Sequence, residues 1–339
     1  MMPIKKGLFY MQNKSDSNLL TICIPTYNRC EFLDYGVRKL APYAQQYGIT
    51  IVIVDNDSPD DTEIIGRKLT NDFSNIKYYR NDSNIGPDRN FEKALKLADT
   101  KYAWLMSDDD GIVYERIPLI LSILGKNNLD MLILNAPGRV NDVASKLYTD
   151  HNELLSEIGW HMQFMSCLIF SNEIIERANF KKYWNTNLMQ YGIVFDTLSK
   201  KKEIQVYFLA DVVITGFDDV KLHRSSNDGW MNSALRIFVT QWTKMILSFP
   251  DCYTDYAKRK AIMDHGIKSG LFGLKSIVNL SVHHCITPYK LSEVREYYRY
   301  AISYPYWFVK VISYTTSNEF TLSIWETLRK IYKLIIKRR

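Results

Sequence analysis

Apolar positions in the first third of the chain follow two alternating periods. LLTICIP (Leu19 to Pro25) and ITIVIV (Ile49 to Val54) are short, nearly continuous runs rich in β-branched residues, each ending in polar turn residues, as strands buried on both faces do. Between them Phe32, Leu33, Val37, Leu40 and Tyr43 recur at helical spacing, predicting a helix over Glu31 to Tyr47. The alternation continues with a helix over Thr62 to Leu69, opened by Ser58-Pro59-Asp60-Asp61, and a strand over Ile76 to Tyr79. A helix over Asp88 to Ala98 and a strand over Tyr102 to Met106 complete it. This βαβαβαβ order predicts an α/β fold with a doubly wound parallel sheet, whose ligands lie beyond the carboxyl ends of the strands.

The rest of the chain changes character. Leu188, Tyr191, Phe195 and Leu198 are spaced for a helix, and the Met and aromatic residues of GWHMQFMSCLIF (Gly159 to Phe170) read as core, in a strand or helix against the sheet. Beyond about residue 230, helices are predicted over Ala234 to Phe249, Tyr256 to Val278 and the Tyr-rich Val294 to Tyr304. The expected division is an N-terminal extension at 1–18, a principal domain at 19–230, a helical subdomain at 231–317 and a basic amphipathic helix at 318–339.

Composition narrows the class. With 339 residues, 46% hydrophobic and 24% charged, the chain is ordinary globular protein with room for two domains. Five cysteines, odd in number and without a CxxC pair, argue against a disulfide framework or zinc cluster and fit a reducing, cytosolic compartment. His283, His284 and Cys285 are adjacent, so on regular structure they point apart, and no spaced partner completes a metal set. No apolar run approaches the roughly 18 residues that span a bilayer, and the first residues lack the apolar centre of a signal peptide. The net charge of +6 is a tail property: six basic residues and no acid lie between Thr327 and Arg339, leaving 37 basic against 37 acidic residues elsewhere. A nucleic-acid-binding body, which needs a basic face through the fold, is thereby disfavoured.

The polar clusters stand at strand ends. PTYNR (Pro25 to Arg29) follows the first strand, DNDSPDD (Asp55 to Asp61) the second and SDDDG (Ser107 to Gly111) the fourth, while NIGPDRN (Asn84 to Asn90) enters the helix before the fourth. Each alone is turn composition. Together at one sheet edge they mark a site. Three consecutive aspartates after a buried strand repel one another unless a cation or several donors compensate them; a solvated acidic turn is the competing account.

TICIPTYNR, IVIVDNDSPDDT, NDSNIGPDRNFEKAL and WLMSDDDGIV, in that order over residues 19 to 115, resemble the inverting GT-A fold glycosyltransferases of family 2, which use nucleotide-sugar donors. The SDDD form, with Ser107 where many members have another aspartate, is similar to the subgroup that builds bacterial O-antigen and other surface polysaccharides, including abequosyltransferase-like enzymes. The resemblance implies a GT-A fold with a Rossmann-like, mostly parallel sheet and a helical C-terminal subdomain. It implies metal-dependent transfer, with Mg²⁺ or Mn²⁺, from a nucleoside-diphosphate sugar to a hydroxyl of a lipid-linked or polysaccharide acceptor. A non-catalytic nucleotide-sugar-binding module is the alternative; the complete acidic triad favours the enzyme.

Carried over residue by residue, Asp108, Asp109 and Asp110 look like the DxD-type motif, with Asp110 as the first metal ligand and Asp108 on the metal and ribose side. Asp55 is placed at the base. Asp57 is either a donor contact or, with Ser58, a cap of the next helix. Pro25, Thr26, Tyr27 and Arg29 cradle base and ribose, with a structural turn as the other account of Thr26 and Tyr27. Arg89 reaches a phosphate or pairs with the acids. His223 and Arg224 close as a lid over the diphosphate, or belong to an ordinary surface loop. Asp196 is preferred as general base over Asp211, with Asp218 and Asp219 further candidates.

On a helical wheel for Phe320 to Arg339, Ile324, Trp325, Leu328, Ile331, Tyr332, Ile335 and Ile336 oppose Arg329, Lys330, Lys333 and Lys337. The pattern suits a helix in an anionic membrane interface, or one packed on a core with a solvated basic back. The expectation is a cytoplasmic protein, peripheral on the inner face of the cell membrane, with no nucleic-acid partner and room for an oligomer.

Overall fold

In a computed structural model, which describes residues 18–217 and 229–316, β1 (Leu20–Thr26) is buried at every position, as its unbroken apolar run requires. Helix α1 (Cys30–Gln46) returns the chain to β2 (Thr50–Asp55), and α2 (Thr62–Asp72) leads to β3 (Ile76–Arg80). Then α3 (Pro87–Lys96) leads to β4 (Tyr102–Leu105), so the predicted βαβαβαβ segment is present with boundaries shifted by at most three residues. Parallel pairing aligns Thr26 with Asp55 and Cys23 with Leu105, which brings the polar clusters after β1, β2 and β4 to one edge.

The chain continues through β5 (Asp110–Ile112), α4 (Ile117–Lys126), β6 (Met131–Asn135), β7 (Lys146–Tyr148), α5 (His151–Glu157), β8 (Leu168–Ser171), α6 (Asn172–Arg177), α7 (Met189–Leu198), β9 (Val206–Val212) and β10 (Ile214–Gly216). Eight strands form one sheet in the order β3-β2-β1-β4-β8-β6-β9-β7, and β10 pairs with β5 beside it. The sheet is mostly, not wholly, parallel. β8 runs against both β4 and β6, and β7 runs against β9. The reason lies in Gly159 to Cys167: two 3-10 turns, His161–Gln163 and Met165–Cys167, deliver the chain to the edge where β4 ends, pairing Leu168 with Leu105, so β8 can only run back. Trp160, Met162, Cys167 and Phe170 are fully buried, as their composition predicts.

After β10 the described chain is helical: α8 (Gly229–Asn232), a π-helical stretch at Arg236–Gln241, α9 (Trp242–Leu247), α10 (Asp255–Lys268), α11 (Leu274–Val282), α12 (Pro288–Glu293), α13 (Tyr298–Ala301) and α14 (Tyr306–Thr316). The helix expected over Tyr256 to Val278 is split after Lys268, where Gly270 takes a φ of 72°. The one expected over Val294 to Tyr304 shrinks to the short α13. This helical part packs on α7: the Tyr191 and Trp242 rings lie 4.5 Å apart and the Tyr253 hydroxyl donates to the Phe195 carbonyl at 2.8 Å. Among the described residues no helix is long and apolar enough to cross a membrane. The N-terminal extension, Asp218, Asp219, His223, Arg224 and the basic tail lie outside the described residues.

Candidate active site at the carboxyl edge of the sheet

The turn after β1 and the turn after β4 are clasped together. The Thr26 hydroxyl donates to Asp108 Oδ2 at 2.6 Å, and Arg29 reaches Asp108 at 3.3 Å and Asp109 at 2.9 Å. Ser107 Oγ donates to the other oxygen of Asp109, and Ser166 Oγ donates to Asp110 Oδ2 at 2.6 Å while accepting from the Ser107 amide at 2.9 Å. Compensation of the three acids therefore comes from a guanidinium and several hydroxyls. The solvated-turn account fails for Asp108, which is 8% exposed. Burial pushes its carboxyl up to about 6, against the opposing pull of Arg29 and the Thr26 hydroxyl.

Asp55 is equally buried but differently served. Oδ1 accepts from the Ser58 amide at 2.9 Å and hydroxyl at 2.5 Å; Oδ2 accepts from the Tyr78 hydroxyl and Arg80, both at 2.7 Å. Four donors occupy the carboxylate, and no part of the side chain is exposed. Asp55 organises Arg80 and the turn, and the expected contact with a base requires one of these four donors to move aside. Arg80, which sequence reasoning passed over, is partly exposed and also holds Asp57 at 2.7 Å, with Asp57 at a φ of 62°. Asp57 does not cap α2, whose N-cap is Asp61. The only sequence signal for Arg80 is a basic residue closing the strand IKYYR.

Other expected residues are dispersed. Pro25 lies buried in β1, and Tyr27 is 45% exposed beside Thr26. Arg89 is exposed and stacks over the Trp184 ring at 4.4 Å, and no described bond takes it to the acids. Asp196, in α7, is held by Lys182 at 2.5 Å and Lys200 at 3.2 Å. Burial pushes its carboxyl up, but the two ammonium groups outweigh burial and hold it below the ordinary carboxylate value. A carboxylate held charged by two lysines is a poor proton acceptor, which weighs against its expected role as base. Asp211 is half-buried and pairs with Arg116 at 2.9 Å. Neither joins the acidic cluster. Ser166 does, from a segment whose composition predicts core and in which the family resemblance implies an acceptor contact.

The cluster fits a hard divalent cation in its chemistry, offering carboxylate and hydroxyl oxygens around a buried acid that a cation would deprotonate. Among the described residues no three His, Cys, Asp or Glu side chains converge on one point. Mg²⁺ and Mn²⁺ sites commonly take one or two carboxylates and complete their shell with substrate phosphates, so a partial protein set is compatible.

Residues 21–186 match the sequence model of Glycosyl transferase family 2. Abequosyltransferase RfbV of Salmonella typhimurium is 35% identical over 108 residues, covering 31% of this chain and 32% of the relative, so the matched segment spans about a third of that protein. Crystal structures share the fold: S. aureus TarS 1-349, at a TM-score of 0.51 and 16% identity, over 90% of this chain and 91% of that one. The mannosyltransferase PcManGT of Pyrobaculum calidifontis, solved with GDP-Man and Mn²⁺, gives 0.54 and 12% identity over 90% and 86%.

Asp108 and Asp196 respond oppositely to substitution. The folded state takes up the Asp108 proton below about pH 6 whereas the unfolded chain waits until about 4, so this group costs stability as pH rises through that window. Asp108→Asn is expected to stabilise the metal-free protein at pH 7.5 by on the order of 1–3 kcal/mol, the gain vanishing near pH 4, read by urea unfolding at both pH values. Asp196→Asn should instead lower the unfolding midpoint and leave kcat within a few-fold of wild type; a loss of about 10²-fold or more in kcat would restore the base assignment.

Proposed function

Because residues 21–186 belong to glycosyl transferase family 2, we propose that this protein moves a sugar, with inversion, from a nucleoside-diphosphate sugar to a hydroxyl of a lipid-linked or polysaccharide acceptor in the assembly of a bacterial surface glycan. The observation that carries the reading is the clasp in which Thr26 and Arg29, after β1, hold Asp108 and Asp109, after β4. It lies beyond the carboxyl ends of the strands, where open α/β sheets take nucleotide ligands. The abequosyltransferase relative supports a surface-glycan role, and the mannosyltransferase that shares the fold was solved with a nucleotide sugar and Mn²⁺.

A divalent cation, when bound, neutralises charge that develops on the departing diphosphate. Asp110 is its first ligand in this reading and Asp108 its second, using lone pairs that Thr26 and Arg29 leave open. Ser166 orients the Asp110 carboxylate. Arg29, already positioned by two acids, stands ready to face the phosphates, and Arg80 with Asp57 lines the base side.

The tail extends the reading to a membrane. Trp307, Val311 and Tyr314 are exposed at helical spacing on α14, and the basic amphipathic sequence 320–339 follows directly. Each basic residue near an anionic leaflet contributes about 1 kcal/mol, enough in sum to hold the enzyme beside a lipid-linked acceptor.

Asp110→Asn is expected to abolish transfer and to remove the thermal stabilisation that UDP or GDP with Mn²⁺ gives wild type, while the ligand-free melting temperature stays within a few degrees. Full activity in EDTA would refute the metal assignment. Deleting Thr321 to Arg339 should end sedimentation with phosphatidylglycerol liposomes at low salt and spare hydrolysis of a soluble donor. Wild-type protein that stays in the supernatant would rule the membrane contact out.

A further inference from the structure

A second polar centre lies on the far side of Asp110 from the nucleotide end. Along the sheet edge, the ends of β2, β1 and β4 are followed by the 160–167 turns, which lead into β8, and by Arg139, four residues past the end of β6. The Arg139 guanidinium lies 5.1 Å from the Trp160 ring centre and 5.2 Å from that of Phe164, and its Nε donates to His161 Nδ1 at 2.8 Å. His161 Nε2 donates to the Leu134 carbonyl at 2.8 Å, so the imidazole is neutral and carries no charge to answer the guanidinium. No acidic side chain among the described residues forms an ion pair with Arg139. Among the described residues, Asp110 is the carboxylate whose charge acts on it through space. Ser166, two residues beyond Phe164, is bonded to that same Asp110.

The centre holds unused bonding capacity of both kinds. Arg139 Nη2 and the indole N–H of Trp160 are buried donors without an acceptor. His265 Nδ1 and Gln190 Oε1 are buried acceptors without a donor. His265 and Gln190 are joined through Gln163, whose side-chain oxygen meets His265 Nε2 at 3.3 Å and whose carbonyl accepts from Gln190 Nε2 at 3.3 Å. Trp160 and His265 are at most 1% exposed and Gln190 4%, whereas Arg139 is half-buried, so the cation is the member of the group that reaches solvent. Buried donors and acceptors left unmade are costly and call for an occupant. A cation beside an N–H donor calls for an anion, and acceptors next to them suit hydroxyl groups. A sugar bearing a negative charge supplies both.

We propose that Arg139, with the Trp160 N–H beside it, forms a subsite for a carboxylate or phosphate carried by the glycan substrate that meets the donor at Asp110, with His265 and Gln190 receiving its hydroxyls. The proposal rests on the glycosyl-transfer reading and names the substrate class that reading leaves open. It also accounts for a guanidinium whose flanking rings and neutral histidine supply packing but no counter-charge.

Titration calorimetry with glucuronate, glucose 1-phosphate and glucose tests it on the full chain. Wild type is expected to bind one of the two acids at least about tenfold more tightly than glucose, the worth of one charge-assisted hydrogen bond. Preference for glucuronate identifies a carboxylate subsite and preference for glucose 1-phosphate a phosphate subsite. Arg139→Gln should erase the preference, and Arg139→Lys should restore part of it. Trp160→Phe, which removes the N–H together with part of the buried ring under Arg139, should weaken the preference, and the ligand-free melting temperature of every variant guards against misfolding. Binding of UDP or GDP with Mn²⁺, measured on the same proteins, should not change. Its absence in wild type would count against the donor reading alone. Equal binding of all three sugars by wild type, or an anion preference that survives in Arg139→Gln, would overturn the subsite.

Discussion

A guanidinium between two aspartates lets an acidic run follow a buried strand. Arg29 takes Asp108 and Asp109 together, and its place is set by the turn before it: Asn28 adopts a φ of 56° and its amide donates to Ser58 Oγ at 2.8 Å. Ser58 in turn donates to Asp55, and Asp55 fixes Tyr78 and Arg80. The turns after β1, β2 and β4 and the last residue of β3 are thus one bonded chain. Removing Arg29 would leave Asp108 a desolvated charge with a hydroxyl as its nearest described donor, a situation that costs several kcal/mol when a buried partner is lost.

Two buried carboxylates in that chain illustrate how environment divides roles. Asp55 has four donors for its two oxygens, so it behaves as scaffold. Asp108 has a hydroxyl and one long contact to Arg29, and burial raises its carboxyl to about 6. The incompletely satisfied acid is the one suited to accept a further cation, and the instability it carries is the kind of local cost that functional sites commonly retain.

The helical C-terminal part and the sheet meet around α7. Asp88, at the start of α3, accepts the amides of Asn187 at 3.0 Å and Met189 at 3.4 Å and so ties the entry of α7 to the donor side. The other end of α7 is locked by the lysines on Asp196 and by Tyr253. Held at both ends, α7 presents Gln190 to the Gln163 and His265 cluster, so the polar centre near Arg139 is built jointly by sheet turns and C-terminal helices. A substrate spanning the two would feel the packing of both.

The sequence by itself determined the βαβαβαβ third of the chain and the edge at which chemistry collects. Period-2 and period-3.6 patterns are local, and strands of βαβ units end at a common edge whatever their neighbours, so PTYNR, DNDSPDD and SDDDG had to assemble. Whether a given polar residue is free was decided only by tertiary structure. Asp55, Asp108 and Asp196 are each an aspartate at the end of an apolar run or on an apolar helix, alike to any local reading. The donors that separate them, Arg80 from 25 residues away, Thr26 from 82 and Lys182 from 14, arrive through folding. The antiparallel β8 was hidden for the same reason: its direction is set by where the 3-10 turns deliver the chain and not by any periodicity within LIFS. Ser166, Arg80 and Arg139 sit in segments whose composition speaks of core or turn, and their chemistry exists only once those segments are packed beside Asp110 and Asp55.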